Sequence, residues 1–250
     1  MPSFSLSPSV RVFATALILA LSCATSFVSA VSDDACVLTT KSATYNLAAL
    51  SGEAVANRAS DRDPRRTEFL YAWSVCHDVA ISTLPNVNKF SKSSATLCKD
   101  KTGAAFQVTG VKTEGDTDNQ TCKVLGTKAE MALSQLVDGT ATGVTVKYSG
   151  GESCGGAAGG NTFSVHYHCN QFVNSDLAIG TVLEKTTCDY HVNVQSVYGC
   201  PTQCYSAAGT AAGKEPEVCG GHGICSVDPV LDAARCYCND GYRGPYCTCT

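Results

Sequence analysis

"NTFSVHYHC" (Asn161–Cys169) decides how the rest of the chain is read. Side chains of an extended strand point alternately to its two faces. Phe163, Val165, Tyr167 and Cys169 therefore share one face, and Ser164, His166 and His168 the other. One apolar and one polar face mark a strand with a single side on a core. The preceding "YSGGESCGGAAGG" (Tyr148–Gly160) is a Gly-Gly turn, a cysteine and a flexible glycine tract. Three readings of the pair stand open here: the rim of a binding site, a metal cluster on the two histidines, or a disulfide-stapled hairpin.

The same alternation returns in "GVTVKYSGG" through Val144, Val146 and Tyr148, and in "CDYHVNVQSV" through Tyr190, Val192 and Val194. Short alternating segments with turn residues between them run from Cys36 to Cys200, which is the pattern of an all-β domain. "KAEMALSQLVDG" (Lys128–Gly139) fits a helical turn or a strand equally. "DRDPRR" (Asp61–Arg66) is the densest charge run and reads as an exposed loop. From Pro201 the texture changes: "SAAGTAAGKEPE" (Ser206–Glu217) is a small-residue linker or loop, and the rest is cysteine-dense with little core. So short a region needs disulfides to fold.

At the other end, Arg11 precedes the apolar run "VFATALILALSCAT" and then "FVSA". This is the layout of a secretory signal over residues 1–30, cut after Ala30 and too short to span a bilayer. No later apolar run is long enough for a transmembrane span, and "YCTCT" offers no hydrophobic tail for a lipid anchor. Sixteen cysteines in an exported chain imply disulfides. With Cys23 leaving in the signal, fifteen remain, so one is left over or pairs between molecules. Asn119 in "NQT" is a glycosylation acceptor. A net charge of −4 argues against nucleic acid as a partner. Ser153 in "GGESCGG" has Gly-x-Ser-x-Gly spacing (Gly151–Gly155), but no positioned base follows from the sequence. No His-Glu-x-x-His or phosphate loop occurs, and Glu184 has no evident second carboxylate for glycoside hydrolysis. Neither an enzyme nor a cofactor is expected.

Two resemblances follow from ordered motifs. "CGGHGICSVDPVLDAARCYCNDGYRGPYC" (Cys219–Cys247) has a Cys-x-Cys pair at Cys236 and Cys238 and "DGYRG" before Cys247, and it resembles an epidermal-growth-factor-like module. The module with its linker would span residues 201–250. The resemblance implies pairs Cys204–Cys225, Cys219–Cys236 and Cys238–Cys247. "YNLAALSG", "FLYAWSVC", "KYSGGESC", "NTFSVHYHC" and "EKTTCDYHVNVQSVYGC" recur in the order of the mannose 6-phosphate receptor homology family. That similarity implies a flattened β-barrel of two antiparallel sheets over residues 31–200. It also implies pairs Cys36–Cys76, Cys98–Cys122, Cys154–Cys188 and Cys169–Cys200, with Cys249 unpaired.

Lectins of that family hold mannose with a Gln, an Arg, a Glu and a Tyr, because vicinal hydroxyls need donors and acceptors at fixed places. Glu184 and Tyr190 stand at two of these positions. Asn161 stands where the arginine belongs and keeps a donor without the forked, charged contact. Lys99 stands where the glutamine belongs, and Gln107 takes that role if the local register shifts. His166, His168 and a neighbouring His191 would suit zinc or copper. No carboxylate or free thiol is placed with them, so they are read as solvent-facing and pH-responsive, and no metal site is expected. The resemblance implies non-catalytic recognition of mannose-type or phosphomannosyl glycans on glycoproteins, in the secretory pathway or outside the cell. A protein partner on the growth-factor-like module is also open. The alternative is an extracellular adhesion or structural protein whose barrel makes protein contacts instead.

Overall fold

A computed structural model describes residues 36–51, 57–62, 68–81, 100–109, 121–136, 142–155, 159–173, 178–206 and 215–250. Residues 1–30, read above as a secretory signal, and Cys98, Lys99 and Asn119 lie outside the described residues. The first strands are β1 (Val37–Thr39), β2 (Thr44–Asn46), β3 (Asn57–Arg62), β4 (Glu68–Trp73) and β5 (Val79–Ala80). Then come β6 (Thr102–Gly103), β7 (Ala105–Thr109), β8 (Thr121–Gln135), β9 (Gly143–Gly150) and β10 (Thr162–Cys169). Last are β11 (Ala178–Ile179), β12 (Leu183–Thr186), β13 (Asp189–Ser196), β14 (Gly223–Asp228) and β15 (Ala233–Cys238). The described residues contain no α-helix.

Nine strands form one sheet in the order β11-β13-β10-β9-β8-β7-β4-β3, with β12 also on β13. The sheet is not wholly antiparallel, because β10 and β13 run parallel over their full lengths. β8 gives the sheet its shape. Its first half pairs with β7 and its second half with β9. The β8–β9 ladder breaks between Thr127 and Met131. A break of that kind bends a strand and raises its twist, so the sheet curls and its two halves face each other. The two sheets expected from the sequence are these halves, joined through β8.

Between them lies the main core, with Tyr71 and Trp73 from β4, Val146 and Tyr148 from β9, Phe163, Val165 and Tyr167 from β10, and Val192 and Val194 from β13. Three of its aromatics, Trp73, Tyr148 and Tyr167, have their polar tips paired, as burial favours. Trp73 Nε1 donates to Tyr167 Oη at 3.2 Å, and Tyr148 Oη donates to the Ser74 carbonyl at 3.0 Å. β4 and β7 are covered on their other face as well, by a cluster of Leu70, Ala72, Phe106, Val108, Val79 and Ile81. That double burial is why "FLYAWSV" is apolar nearly throughout. "KAEMALSQ" (Lys128–Gln135) is strand, the second half of β8. "DRDPRR" begins inside β3 at Asp61 and Arg62 rather than in a loop.

Disulfides join Cys36–Cys76, Cys154–Cys188 and Cys169–Cys200 in the sheet domain, and Cys204–Cys225, Cys219–Cys236 and Cys238–Cys247 beyond it. Cys122 and Cys249 are disulfide-bonded too, with partners outside the described residues. Cys249 is therefore not the unpaired cysteine the sequence suggested.

The C-terminal module sits against the sheet domain. Val197 and Cys200 share a small core with Cys204, Val218, Cys219, Cys225, Cys236 and Cys247. Ala234 N donates to the Ser42 carbonyl at 2.8 Å, Thr44 N donates to Gln203 Oε1 at 3.0 Å, and Gln171 Nε2 donates to the Gly223 carbonyl. Residues 207–214 of the stretch read as a linker or loop lie outside the described residues, but those flanking them are described. The ends of the stretch meet, with Ser206 N on the Glu217 carbonyl at 2.8 Å and Tyr205 bridged to Val218. Among the described residues, no helix is long and apolar enough to cross a membrane.

Candidate functional site

β12 and β13 form a hairpin whose turn passes through Thr187 and Cys188. Cys188 holds a left-handed φ of 67°, a conformation costly for a side chain with a Cβ. Two contacts fix it there: the bond to Cys154, and its backbone N–H, which donates to Glu184 Oε1 at 2.7 Å. Glu184 is thereby oriented by the turn that follows it. It lies opposite Tyr190 in the β12–β13 ladder and is exposed.

Tyr190 is nearly buried, and its phenol is hydrogen-bonded to both Glu184 and Gln107. Burial, then the Glu184 charge, pushes that phenol above its ordinary range, and the bond to Gln107 works against the rise. Gln107 in β7 is buried and donates Nε2 to Tyr71 Oη at 2.9 Å. It is Tyr71's direct partner across the β4–β7 ladder. The Tyr71 ring lies 5.6 Å from that of Tyr190 and 6.1 Å from that of Phe163, nearly parallel to the latter. An amide, two phenols and a carboxylate thus meet from β7, β4, β13 and β12, with aromatic faces beneath them. Such a group offers donors and acceptors to a polyol, and its single formal charge is negative.

Gln107 reaches this position beside a register shift in the β7–β8 ladder, between Ala105 and Phe106. Asn161 is fully buried just before β10, and it is tied to a neighbouring loop rather than hydrogen-bonded into the cluster. Both its backbone N–H and its Nδ2 donate to the Glu152 carbonyl, at 3.0 and 2.7 Å. Its Oδ1 has no hydrogen-bond partner. Lys101, two residues past the undescribed Lys99, binds Glu152 Oε1 at 2.5 Å and the Cys122 carbonyl at 2.6 Å. The sequence reading missed Tyr71, although the alternation of Phe69, Tyr71 and Trp73 in "FLYAW" places it on the core face.

The outer face of β10 and β13 holds the histidines. His166 Nε2 and His191 Nδ1 are 2.8 Å apart, and His168 Nε2 lies 2.9 Å from Asn193 Oδ1. A carboxylate does accompany them, contrary to the sequence expectation. Asp189, two residues before His191 on one strand face, places Oδ2 3.0 Å from His191 Nε2. Burial pushes the Asp189 carboxyl up, but hydrogen bonds from Thr162 and His191, with the charges of His191 and Lys147, outweigh it and hold it below its ordinary range. Among the described residues, the sulfurs of Cys204, Cys219 and Cys236 also come together, but all three are in disulfides and offer no thiolate.

A family model described as autophagy-related protein 27 matches residues 15–224, and one described as a teneurin-like EGF domain matches residues 216–250. A solved structure titled "Solution structure of the MRH domain of Yos9 complexed with alpha3,alpha6-Man5" is 13% identical. It covers 58% of this chain and 76% of that one, at a TM-score of 0.37. No curated protein matches.

Proposed function

The chain belongs to the autophagy-related protein 27 family, and from that premise we propose that it is a non-catalytic recognition protein that binds glycans on glycoproteins. The observation that carries this reading is the meeting of Gln107, Tyr71, Tyr190 and Glu184 at the end of the core. Its chemistry suits hydroxyl groups. It supplies no cation, so it favours a neutral mannose-type sugar over a phosphorylated one, which the Glu184 charge would repel. The numerous disulfides suit the oxidising lumen of the secretory pathway or the cell exterior. The growth-factor-like module extends the recognition surface toward protein.

The test is a glycan array probed with the disulfide-intact protein, beside Glu184→Ala and Tyr190→Ala. Signal on neutral mannose-type glycans that both substitutions abolish is the expected result. A protein with no glycan signal, or with signal indifferent to both changes, would not be a lectin at this site.

A further inference from the structure

The parallel seam between β10 and β13 is tied on its outer face by side chains as well as by its ladder. Thr162 Oγ1 donates to Asp189 Oδ1 at 2.6 Å, His166 meets His191, and His168 meets Asn193. The His166 and His191 rings lie edge to edge in nearly one plane: their centroids are 5.1 Å apart, their planes differ by 16°, and their facing nitrogens are 2.8 Å apart. At the far side of His166, Thr145 Oγ1 is 2.9 Å from Nδ1.

Proton positions along this chain follow from what each atom can do. An ionised carboxylate only accepts, so His191 carries its proton on Nε2, toward Asp189. Nδ1 of a neutral His191 then accepts, and His166 must donate to it from Nε2. A neutral His166 in turn accepts at Nδ1 from the Thr145 hydroxyl. Every hydrogen bond points one way, from β9 through β10 to β13. A first added proton goes to His166 Nδ1, where the Thr145 hydroxyl turns round to accept it, and the chain survives. A second can enter only at His191 Nδ1, and there it faces the N–H of His166 head-on.

We propose that the His166–His191 pair is an acid-operated joint between β10 and β13, which keeps its hydrogen bonds on taking up one proton and parts on taking up two. The surrounding charge sets the balance. Asp189 opposes the opening, while Lys147 on β9 promotes it and Lys185 on the adjoining β12 adds a second cation; Thr145, Thr186, Asn193 and Leu183 are uncharged. In an unfolded chain the two rings take up protons independently. The unfolded state therefore binds more protons at acid pH, and stability falls as pH falls. This joint does not depend on the sugar-binding reading.

Hydrogen exchange of the intact chain at about pH 7.5 and about pH 5, corrected for intrinsic rates, tests it on both sides of the ordinary imidazole range. In the wild type, segments 162–169 and 189–196 should open about tenfold more at the acid pH, while β14–β15 stays unchanged. His166→Gln and His191→Gln, which cannot charge, should abolish that increase. An acid response equal in wild type and variants would overturn the proposal. Should the variants fail to fold, nitrogen NMR of the wild-type imidazoles at neutral pH decides. Nε2–H tautomers on both rings support the joint, and a proton on His191 Nδ1 refutes it.

Discussion

Trp73 and Tyr167 meet at the centre of the core, the indole N–H on the phenol oxygen, and both are fully buried. Tyr167→Phe keeps the ring and removes only the acceptor, which strands the Trp73 N–H in an apolar interior. An unpaired buried donor costs about 1–3 kcal/mol, so the urea midpoint of the disulfide-intact variant should fall with its slope unchanged. Glu184 separates structure from binding in a different way. Glu184→Gln keeps an oxygen for the Cys188 N–H and should leave stability close to wild type, while glycan signal drops. Glu184→Ala should lose both, with a stability loss of about 1 kcal/mol from the missing hydrogen bond to the turn. At this scale Glu184 and Tyr190 were named only through the resemblance of "EKTTCDY" to a family motif, and the ladder that sets them side by side was not foreseen. Gln107 depended on a ladder irregularity between Ala105 and Phe106 that no composition rule reveals. The left-handed Cys188 was equally hidden, since it exists only because a disulfide and a carboxylate hold it.

β8 is the element on which the curl depends, and Gly126 is where it hands over from one neighbour to the other. Gly126 pairs with Ala105 on one side and Gly150 on the other. A Cβ there would sit 2.5 Å from the Tyr148 Cβ and 2.8 Å from its carbonyl carbon. Backbone cannot swing away as a side-chain tip does, so Gly126→Ala should cost at least the upper end of the usual overpacking penalty, about 3 kcal/mol. A thermal midpoint within a few degrees of wild type would show that the β8–β9 crossing has slack. β9 beside it was legible because one of its faces is apolar in strict alternation. Lys128–Gln135 was not, since its polar and apolar residues suit either period. Its state is decided by β9 alongside, where Val144, Val146 and Tyr148 carry the clear pattern.

For the whole molecule, pH stability at the alkaline end follows from buried phenols. Burial pushes Tyr148 and Tyr167 well above the ordinary tyrosine range, and it does the same to Tyr205, with Tyr198 adding to the rise. Unfolded tyrosines ionise near their ordinary value of about 10. Above it the unfolded chain has lost protons that the native fold retains, so stability is full below that pH and declines as pH rises beyond it. Tyrosinate absorbance of these rings should therefore appear together with unfolding. Smooth titration of all ten tyrosines in a still-folded protein would contradict their burial.

The division into two parts was visible in the sequence as a change of texture at Pro201, but the way they join was not. Cysteine spacing identifies a small module without saying what it leans on. In the fold, the strand end at Val197 and Cys200 supplies part of the module's core, and the β1–β2 turn at Ser42 pairs with Ala234 of β15. A chain ending after Cys200 keeps the Cys169–Cys200 bond, yet it exposes Val197 and leaves the Ser42 carbonyl and Thr44 N–H without their protein partners. Loss of that burial and of those hydrogen bonds should lower the urea midpoint of the sheet domain, by about 1–3 kcal/mol in free energy. Two modules joined only by a linker would give no change at all, so an unaltered midpoint in the truncated protein would mean that the shared core contributes nothing to the sheet.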